Sequence, residues 1–306
     1  MLKVAELFSG VGAQAKALER LQRDYGLEFE VVATSDIEKD AILSYAAIHC
    51  GLTSELVSCY PDYPSREEMA TYLSSLNIGY DFKEGKPYDW AKLARRKGNA
   101  IEKYWLATYL SRQVGDVSKA PCLPKADLWT YSFPCTDISV AGLQSGLSAE
   151  SGTRSSLVWQ VGRLLKISEE KGELPKYLLM ENVKNLVGTR FIKDFSLWVS
   201  TLEELGYKTY WQVLNAKDFG VPQNRERVFA ISILKSENQM YEFPKGFPLE
   251  IRLKDILEHN VDEKYYLKDE YTEKLLEQIN GKDVSNAVRG GGRGSTDRHS
   301  WDLVRE

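Results

Sequence analysis

The sequence predicts an α/β fold with a mostly parallel sheet and helices on both faces. The chain opens with a short apolar strand at 3–8, a turn that holds Gly10 and Gly12, and a periodic helix at 14–25. Strand, glycine turn and helix in this order are the start of a βαβ unit. Strand and helix patterns then alternate, and 306 residues suit one large α/β domain, with or without a smaller piece.

The composition is that of an ordinary globular protein, with 43% hydrophobic residues, 27% charged residues and a net charge of −4. This charge argues against a generally basic nucleic-acid binder but not against a local basic groove. With four cysteines, no CxxC pair and three histidines, we expect no structural zinc. No apolar run approaches the roughly 20 residues of a membrane span, and the amino terminus does not resemble a secretory signal. A cytoplasmic location is expected.

The glycine turn indicates a nucleotide site, because Gly10 and Gly12 let the backbone approach a ligand at the amino terminus of the next helix. The second predicted strand, 29–35, ends in Asp36, an acidic residue at the distance typical of a ribose-binding carboxylate. No third glycine follows at the place where a pyrophosphate site would carry one. The pattern favours a nucleoside that lacks a pyrophosphate; a plain tight turn is the alternative.

A helix is predicted at 40–49, and residues 52–115 read as a helical insertion with helices at 65–75 and 89–112. The second of these is amphipathic, and its inward residues are predicted to be Trp90, Leu93, Ile101, Trp105 and Leu106. Its basic residues are Lys92, Arg95, Arg96, Lys97 and Lys103. They either contact a phosphate backbone or form a solvated helix face, and the solvated face is the favoured interpretation. The segment 114–117 is expected to close the insertion with a strand end that bears a second ligand-facing carboxylate, Asp116.

A buried strand predicted at 126–131 ends at Phe133-Pro134-Cys135. Proline stops the pairing because it has no N–H and favours extended geometry in the residue before it. Cys135 is therefore presented at the carboxyl edge of the sheet, where open α/β sheets bind ligands. A catalytic thiol and a buried structural cysteine are both compatible with this position. The polar, glycine-bearing stretch 137–153 is typical of an active-site lid.

Two more polar sets adjoin predicted strands in the second half of the chain. Helices are predicted at 154–167 and 191–205, and strands at 176–180, 208–214 and 228–234. Glu181 and Asn182 follow the first of these strands, and Arg225 and Arg227 precede the last one. Alternate residues of an extended chain share a face, so the two arginines are expected to bind an anionic or polar group. A surface ion-pair cluster with Glu226 is the alternative.

Beyond residue 241 the periodicity weakens. Short helices are predicted at 249–259 and 269–280, and the glycine-rich, basic stretch 287–295 is typical of a loop. We therefore predict a catalytic domain at 1–248, followed at 249–306 by a linker and the start of a further region.

Five segments, in this order, resemble the cytosine-C5 DNA methyltransferases, especially bacterial members. They are 8–12 (FSGVG), Asp36, 133–135 (FPC), 181–183 (ENV) and 223–227 (QNRER). The resemblance implies a Rossmann-like fold of the SAM-dependent methyltransferases, with S-adenosylmethionine as the methyl donor. It implies a cofactor-binding set of Phe8, Ser9, Gly10, Gly12, Asp36, Ile37, Asp116, Pro134 and Asn182. Within this set, Asp36 would hold the ribose hydroxyls, Ile37 would pack on the adenine, and Asp116 would meet the adenine amino group.

The resemblance also implies the catalytic residues. Cys135 is the implied nucleophile, whose addition to C6 of cytosine makes C5 reactive. Glu181 would meet N3 and the exocyclic amine, and Arg227 would hold the O2 carbonyl with support from Arg225. The target cytosine would be flipped out of double-stranded DNA, and 137–153 would close over it.

Two departures from the family pattern are visible: Thr136 follows Cys135 where the family usually has glutamine, and the family's carboxyl-terminal motifs are not found after Arg227. The chain is therefore expected to be truncated, or to be one subunit of a split enzyme whose second polypeptide supplies target recognition. DNA methylation in restriction-modification or phage self-protection is the leading hypothesis. A tRNA cytosine methyltransferase, a non-catalytic SAM-binding or DNA-binding fragment, and a Rossmann oxidoreductase are the alternatives.

Overall fold

The computed structural model describes residues 1–81, 86–134, 154–258, 260–266, 269–271 and 273. The strands are β1 Leu2–Leu7, β2 Phe29–Ser35, β3 Tyr80–Asp81, β4 Lys86–Pro87, β5 Leu128–Tyr131, β6 Tyr177–Val183, β7 Tyr207–Asn215 and β8 Glu226–Leu234. The α-helices are α1 Ala13–Tyr25, α2 Lys39–His49, α3 Ser54–Cys59, α4 Arg66–Ser75, α5 Trp90–Ala94, α6 Ala100–Leu110, α7 Val158–Glu170 and α8 Ile192–Glu204. Short 3₁₀ helices include Arg154–Leu157, Lys184–Val187, Ala216–Phe219 and Leu253–Ile256.

Six of the strands form one sheet in the order β2-β1-β5-β6-β8-β7, while β3 and β4 pair separately and antiparallel. β1 pairs in parallel with β2 and with β5, and β5 pairs in parallel with β6. The N–H of Leu234, the last residue of β8, donates to the carbonyl of Lys176, just before β6, so these two strands run in opposite directions. The sheet is therefore mixed but mostly parallel, and the fold is Rossmann-like, as the sequence predicts.

The chain leaves β1 for β2 on one side and later returns to β5 on the other side of β1. The carboxyl ends of β1 and β5 thus form the switch point at which open α/β sheets bind their ligands. A glycine stands at each end of the helix after β1. α1 begins directly after Gly12, and Gly26 follows its last residue, Tyr25. Gly26 is left-handed (φ 69°) and donates its N–H to the Gln22 carbonyl. A left-handed glycine at this place satisfies the last carbonyls of a helix.

The insertion has its own apolar core, in which the side chains of Trp90, Ile101 and Leu106 are buried. Leu93 and Trp105 are buried as well, so all five residues predicted to face inward do so. The predicted helix 65–75 is confirmed as α4, which Ser65 and Glu68 begin with a capping box.

The single helix predicted at 89–112 is wrong, because the structure has two helices here, α5 and α6, separated by a loop. Gly98 in this loop has a left-handed backbone (φ 94°), which an α-helix cannot contain. The backbone carbonyls of the loop bond the Arg66 side chain instead of helical N–H groups.

β6 runs to Val183, three residues beyond the predicted end at 180. β5 pairs with β6 only as far as Tyr131, opposite Met180, so the end of β6 projects past its shorter neighbour. Glu181 and Asn182 therefore lie inside the strand. β8 likewise begins at Glu226, which puts Arg227 within a strand.

The predicted helix at 249–259 is also wrong, since the structure has only a 3₁₀ turn there, Leu253–Ile256; residue 259 and most of 269–280 lie outside the described residues. So do Cys135, the stretch 137–153 and the stretch 287–295. By internal contacts the chain divides into a first unit, Met1–Trp211 with Phe229–Tyr241, and a second unit, Gln212–Val228 with Glu242–Glu306. The predicted boundary at 248/249 stays a prediction. In the part of the chain that the structure describes, no helix is long and apolar enough to cross a membrane.

Candidate cofactor and catalytic site

The turn after β1 is built from left-handed residues. Phe8, Gly10 and Gly12 have φ angles of 57°, 53° and 85°, a conformation that glycine adopts readily and that costs a residue with a side chain about 1–2 kcal/mol. The Ser9 N–H donates to the Ser35 carbonyl at the end of β2 (3.0 Å), and the Gly12 N–H donates to the Ser9 carbonyl (2.8 Å). The chain thus folds tightly over the switch point before α1 begins.

The two glycines of the turn differ in the space around them. A Cβ on Gly10 would meet no atom within 4 Å, so this backbone faces open space that a ligand can enter. A Cβ on Gly12 would lie 2.3 Å from His49 Nε2 and 2.8 Å from a ring carbon of Tyr45. Gly12 is therefore required by the packing of α2, and of the two only Gly10 can offer its backbone to a ligand.

Asp36 is brought directly against this turn. Its Oδ2 accepts the Gly10 N–H at 2.8 Å and its Oδ1 accepts the Glu38 N–H at 2.8 Å. Burial raises the pKa of Asp36 above its ordinary value, and the N–H donors of Glu38, Gly10 and Ile37 partly oppose that shift. The structure thus brings Asp36 and the glycine turn together, as the sequence predicts, and the lone pairs left on the two oxygens remain available to hydroxyl donors.

The Ser9 side chain gives this turn a buried polar group whose hydrogen-bonding capacity is unsatisfied among the described residues. Ser9 is buried, and its Oγ has no hydrogen-bond partner among the described residues. A buried hydroxyl left unpaired costs about 1–3 kcal/mol, so a polar ligand seated here would relieve that cost. The free hydroxyl and the open space at Gly10 fit a nucleoside-bearing cofactor.

Asp116 holds the turn that closes the insertion. Its Oδ2 accepts the Asn77 side-chain amide at 2.7 Å, and its Oδ1 accepts both the N–H (2.8 Å) and the hydroxyl (2.7 Å) of Ser118. The strand end predicted at 114–117 is reduced to one parallel bridge between Thr34 and Gln113, because the left-handed Gly115 (φ 72°) turns the chain immediately afterwards. The carboxylate is therefore committed to holding its own turn, and its role toward adenine stays a prediction.

Ile37 also contacts the insertion, since its carbonyl accepts the Gly79 N–H at 2.7 Å. The residues on both sides of Asp36 are thus held in place, Ile37 by this bond and Ser35 by its hydroxyl, which donates to the Gly115 carbonyl at 2.6 Å.

The segment that precedes Cys135 is held at the same edge by two side chains. The Gln14 amide donates to Ser132 Oγ at 3.2 Å, and the Asn182 amide donates to the Phe133 carbonyl at 3.0 Å. Asn182 is buried, and its side-chain oxygen Oδ1 accepts the Val183 N–H at 2.8 Å. These contacts position the residues that lead to Cys135, and the role of Asn182 in cofactor binding stays a prediction.

Glu181 is half-buried and is the residue before Asn182 in β6, so its side chain leaves the strand on the opposite face. Arg225 and Arg227 belong to the second unit. The Arg225 N–H donates to Asn215 Oδ1 (3.1 Å), and Arg227 Nη1 donates to the Glu226 carbonyl (2.8 Å). The roles that the resemblance implies for these residues stay predictions.

Sequence reasoning missed a buried acid, Glu6, the last residue but one of β1. Its carboxylate accepts the Tyr45 hydroxyl at 2.9 Å and the Ala15 N–H at 3.4 Å. Burial raises the pKa of Glu6 to about 7, against the opposing effect of these donors. Next to it, His49 contacts Glu19 Oε1 (2.6 Å) through Nδ1 and the Val11 carbonyl (3.0 Å) through Nε2. A carboxylate inside an apolar strand is rare, and that signal could have identified Glu6.

No group of three or more His, Cys, Asp or Glu side chains in the described ranges could hold a metal ion.

The chain is similar to known proteins both at the level of a family and at the level of individual relatives. The family described as C-5 cytosine-specific DNA methylase matches residues 93–299. The type II methyltransferase M2.ScrFI of Lactococcus lactis subsp. cremoris is 45% identical over 271 residues, which cover 88% of this chain and 71% of the relative. The orphan methyltransferase M.SssI of Spiroplasma monobiae is 40% identical over 275 residues, with coverage of 88% and 68%.

Among solved structures, that of the Entamoeba histolytica methyltransferase EhMeth aligns with a TM-score of 0.54 at 15% identity. The alignment covers 94% of this chain and 68% of that chain. At this level of identity the likeness shows the fold alone.

Proposed function

Because the chain belongs to the C-5 cytosine-specific DNA methylase family, we propose how its own residues carry out SAM-dependent methylation of cytosine C5 in DNA. A relative of the type II class at 45% identity supports a place in restriction-modification. One observation carries the proposal: Gln14 and Asn182 hold residues 132–134 at the sheet edge where the Gly10 turn and Asp36 meet. The proposed donor site and the approach to the proposed nucleophile would thus share one edge.

The cofactor side of the site is formed by the glycine turn and the end of β2. S-adenosylmethionine, when bound, supplies an electrophilic methyl group. Ser9 Oγ and the backbone at Gly10 would bind its polar parts, and Asp36 would accept hydrogen bonds from the ribose hydroxyls. Phe8 and Ile37 are half-buried next to these groups and would pack against its apolar parts. The unpaired Ser9 hydroxyl and the open space at Gly10 support this assignment.

The chemistry begins with Cys135, which follows directly on the positioned Phe133-Pro134 segment. Its thiolate would add to C6 of the flipped cytosine, so that an Sγ–C6 bond forms and C5 becomes nucleophilic. Glu181 would hold the exocyclic amine and protonate N3 as electron density enters the ring. After C5 has taken the methyl group, a base removes the C5 proton, the ring electrons return, and the Sγ–C6 bond breaks to release the thiolate. Arg225 and Arg227 would stabilise charge at O2.

The test is methyl transfer from labelled S-adenosylmethionine to duplex DNA by the full chain. Cys135→Ala is expected to abolish incorporation while S-adenosylmethionine binding, measured by calorimetry, stays near that of the unaltered chain. Cys59→Ala is the matched control, because Cys59 is exposed on α3 of the insertion. Retained methylation by Cys135→Ala would sink the mechanism. Transfer to tRNA but not to DNA would overturn the substrate assignment, and activity only after a second polypeptide is added would support a split enzyme.

A further inference from the structure

The loop between α5 and α6, residues 95–98, is held in a defined shape by one side chain. The Arg66 guanidinium donates to the carbonyls of Ala94 (2.7 Å), Arg96 (2.9 Å) and Gly98 (2.9 Å). It also pairs with the carboxylate of Glu102. Guanidinium is a planar fork with fixed donors, so four acceptors around it fix the path of the backbone. We call residues 95–98 the clamped loop.

The clamped loop presents three consecutive cations, Arg95, Arg96 and Lys97, and all three are exposed. Between Asp89 and Glu102 the sequence contains no acidic residue. Within the described part of the chain, none of these three side chains makes an ion pair. Other surface cations do, in the pairs Lys16–Glu19, Arg23–Asp24, Lys39–Asp40 and Arg112–Glu30.

Such an arrangement is unfavourable for the folded chain by itself. Three neighbouring positive charges repel one another, and the only acidic residue in the clamp, Glu102, is already paired with Arg66. Repulsion of this kind is relieved when a polyanion supplies counter-charges. In a chain whose net charge is −4, an isolated, shaped and unpaired basic loop points to an anionic partner.

The insertion that carries the loop adjoins the predicted cofactor edge. The Tyr104 hydroxyl, in the helix that follows the loop, donates to Asp40 Oδ1 at 2.8 Å, four residues after Asp36. Lys39, next to Asp40, also contacts the insertion, because its Nζ lies 5.3 Å from the centre of the Tyr104 ring and 5.6 Å from that of Tyr88. One turn of duplex DNA is about 34 Å long, so a duplex engaged for base flipping extends well beyond the base that reacts.

We propose that the clamped loop binds the phosphate backbone of the DNA duplex outside the base-flipping site. The inference rests on the proposed function and adds a second, sequence-independent contact to it. Cations on a rigid loop neutralise phosphates and set the orientation of the duplex without reading its sequence.

The test measures duplex affinity against salt concentration, with a 30-base-pair duplex of mixed sequence as the probe. Neutralising each phosphate releases counterions, so log K falls with log salt with a slope of about 0.9 for each contact. The triple variant Arg95→Ala/Arg96→Ala/Lys97→Ala is expected to lose up to about 2.7 from that slope and to bind all duplexes more weakly. The control triple Arg20→Ala/Lys166→Ala/Lys171→Ala removes the same charge from exposed positions on α1 and from the region of α7.

A positioning variant separates shape from charge. Arg66→Lys keeps the charge but replaces the planar fork of donors by a single ammonium group, so affinity is expected to fall while thermal unfolding reports any loss of fold. An unchanged slope in the loop triple, or an equal change in the control triple, would overturn the inference even if the unaltered chain methylates DNA. Transfer of the methyl group to tRNA but not to DNA by the unaltered chain would instead refute the proposed function.

Discussion

Gly12→Ala is expected to damage the fold far more than the cofactor site. A Cβ at Gly12 would lie 2.3 Å from His49 Nε2 and 2.8 Å from the Tyr45 ring, at a φ of 85°. The left-handed backbone costs a side chain about 1–2 kcal/mol, and forcing packed neighbours apart costs about 1–3 kcal/mol. If His49 moves, its 3.0 Å bond to the Val11 carbonyl is lost, at about 1 kcal/mol. A loss of about 3–6 kcal/mol is a large part of the 5–15 kcal/mol that stabilises a typical domain.

Gly10→Ala is the matched control, since Gly10 is also left-handed (φ 53°) but has open space where its Cβ would be. It is expected to cost only the backbone term of about 1–2 kcal/mol. Because the cofactor is proposed to enter that space, its affinity should fall at least tenfold in Gly10→Ala. Urea unfolding gives the stabilities and calorimetry gives the affinity for S-adenosylmethionine. Equal destabilisation by the two substitutions, or unchanged cofactor affinity in Gly10→Ala, would refute the distinction between a packing glycine and a ligand-facing one.

Two further predictions concern buried polar groups. The pKa of Glu6 is raised from 4.5 to about 7, so the stability that its protonated form contributes is complete below pH 4.5 and is lost as pH rises through 7. Glu6→Gln should remove up to about 3 kcal/mol of this decline in the free energy of unfolding. The urea midpoints at pH 5 and pH 8 should therefore differ less in the variant than in the unaltered chain. An identical pH dependence in both proteins would contradict the prediction. Asn182→Ala removes the bond to the Phe133 carbonyl and is expected to lower kcat by about 100-fold with little change in cofactor affinity. A fall in cofactor affinity with kcat unchanged would instead make Asn182 a cofactor ligand.

Much of the fold could be predicted because its signals are local. The opening strand, the glycine turn and the end of α1 at Tyr25 follow from apolar period and glycine position, and the second strand was predicted at its observed bounds, Phe29–Ser35. The inward face of the insertion was predicted from helical spacing alone. The single helix predicted at 89–112 is wrong because a distant residue competes with the local pattern. The Arg66 side chain, some 30 residues earlier in the sequence, donates to the backbone carbonyls of Arg96 and Gly98.

The sequence by itself determined the family, the order of its motifs and the residue types that the chemistry requires, since each motif is a short contiguous string. Only the tertiary structure decided what each of these residues touches. It separates Gly12, which packs on His49, from Gly10, which faces open space. It turns Asn182 toward the Phe133 carbonyl and ties both oxygens of Asp116 to Asn77 and Ser118. The physical reason is that hydrogen bonds and steric contacts join residues dozens of positions apart, and their partners are chosen by how the strands and helices pack.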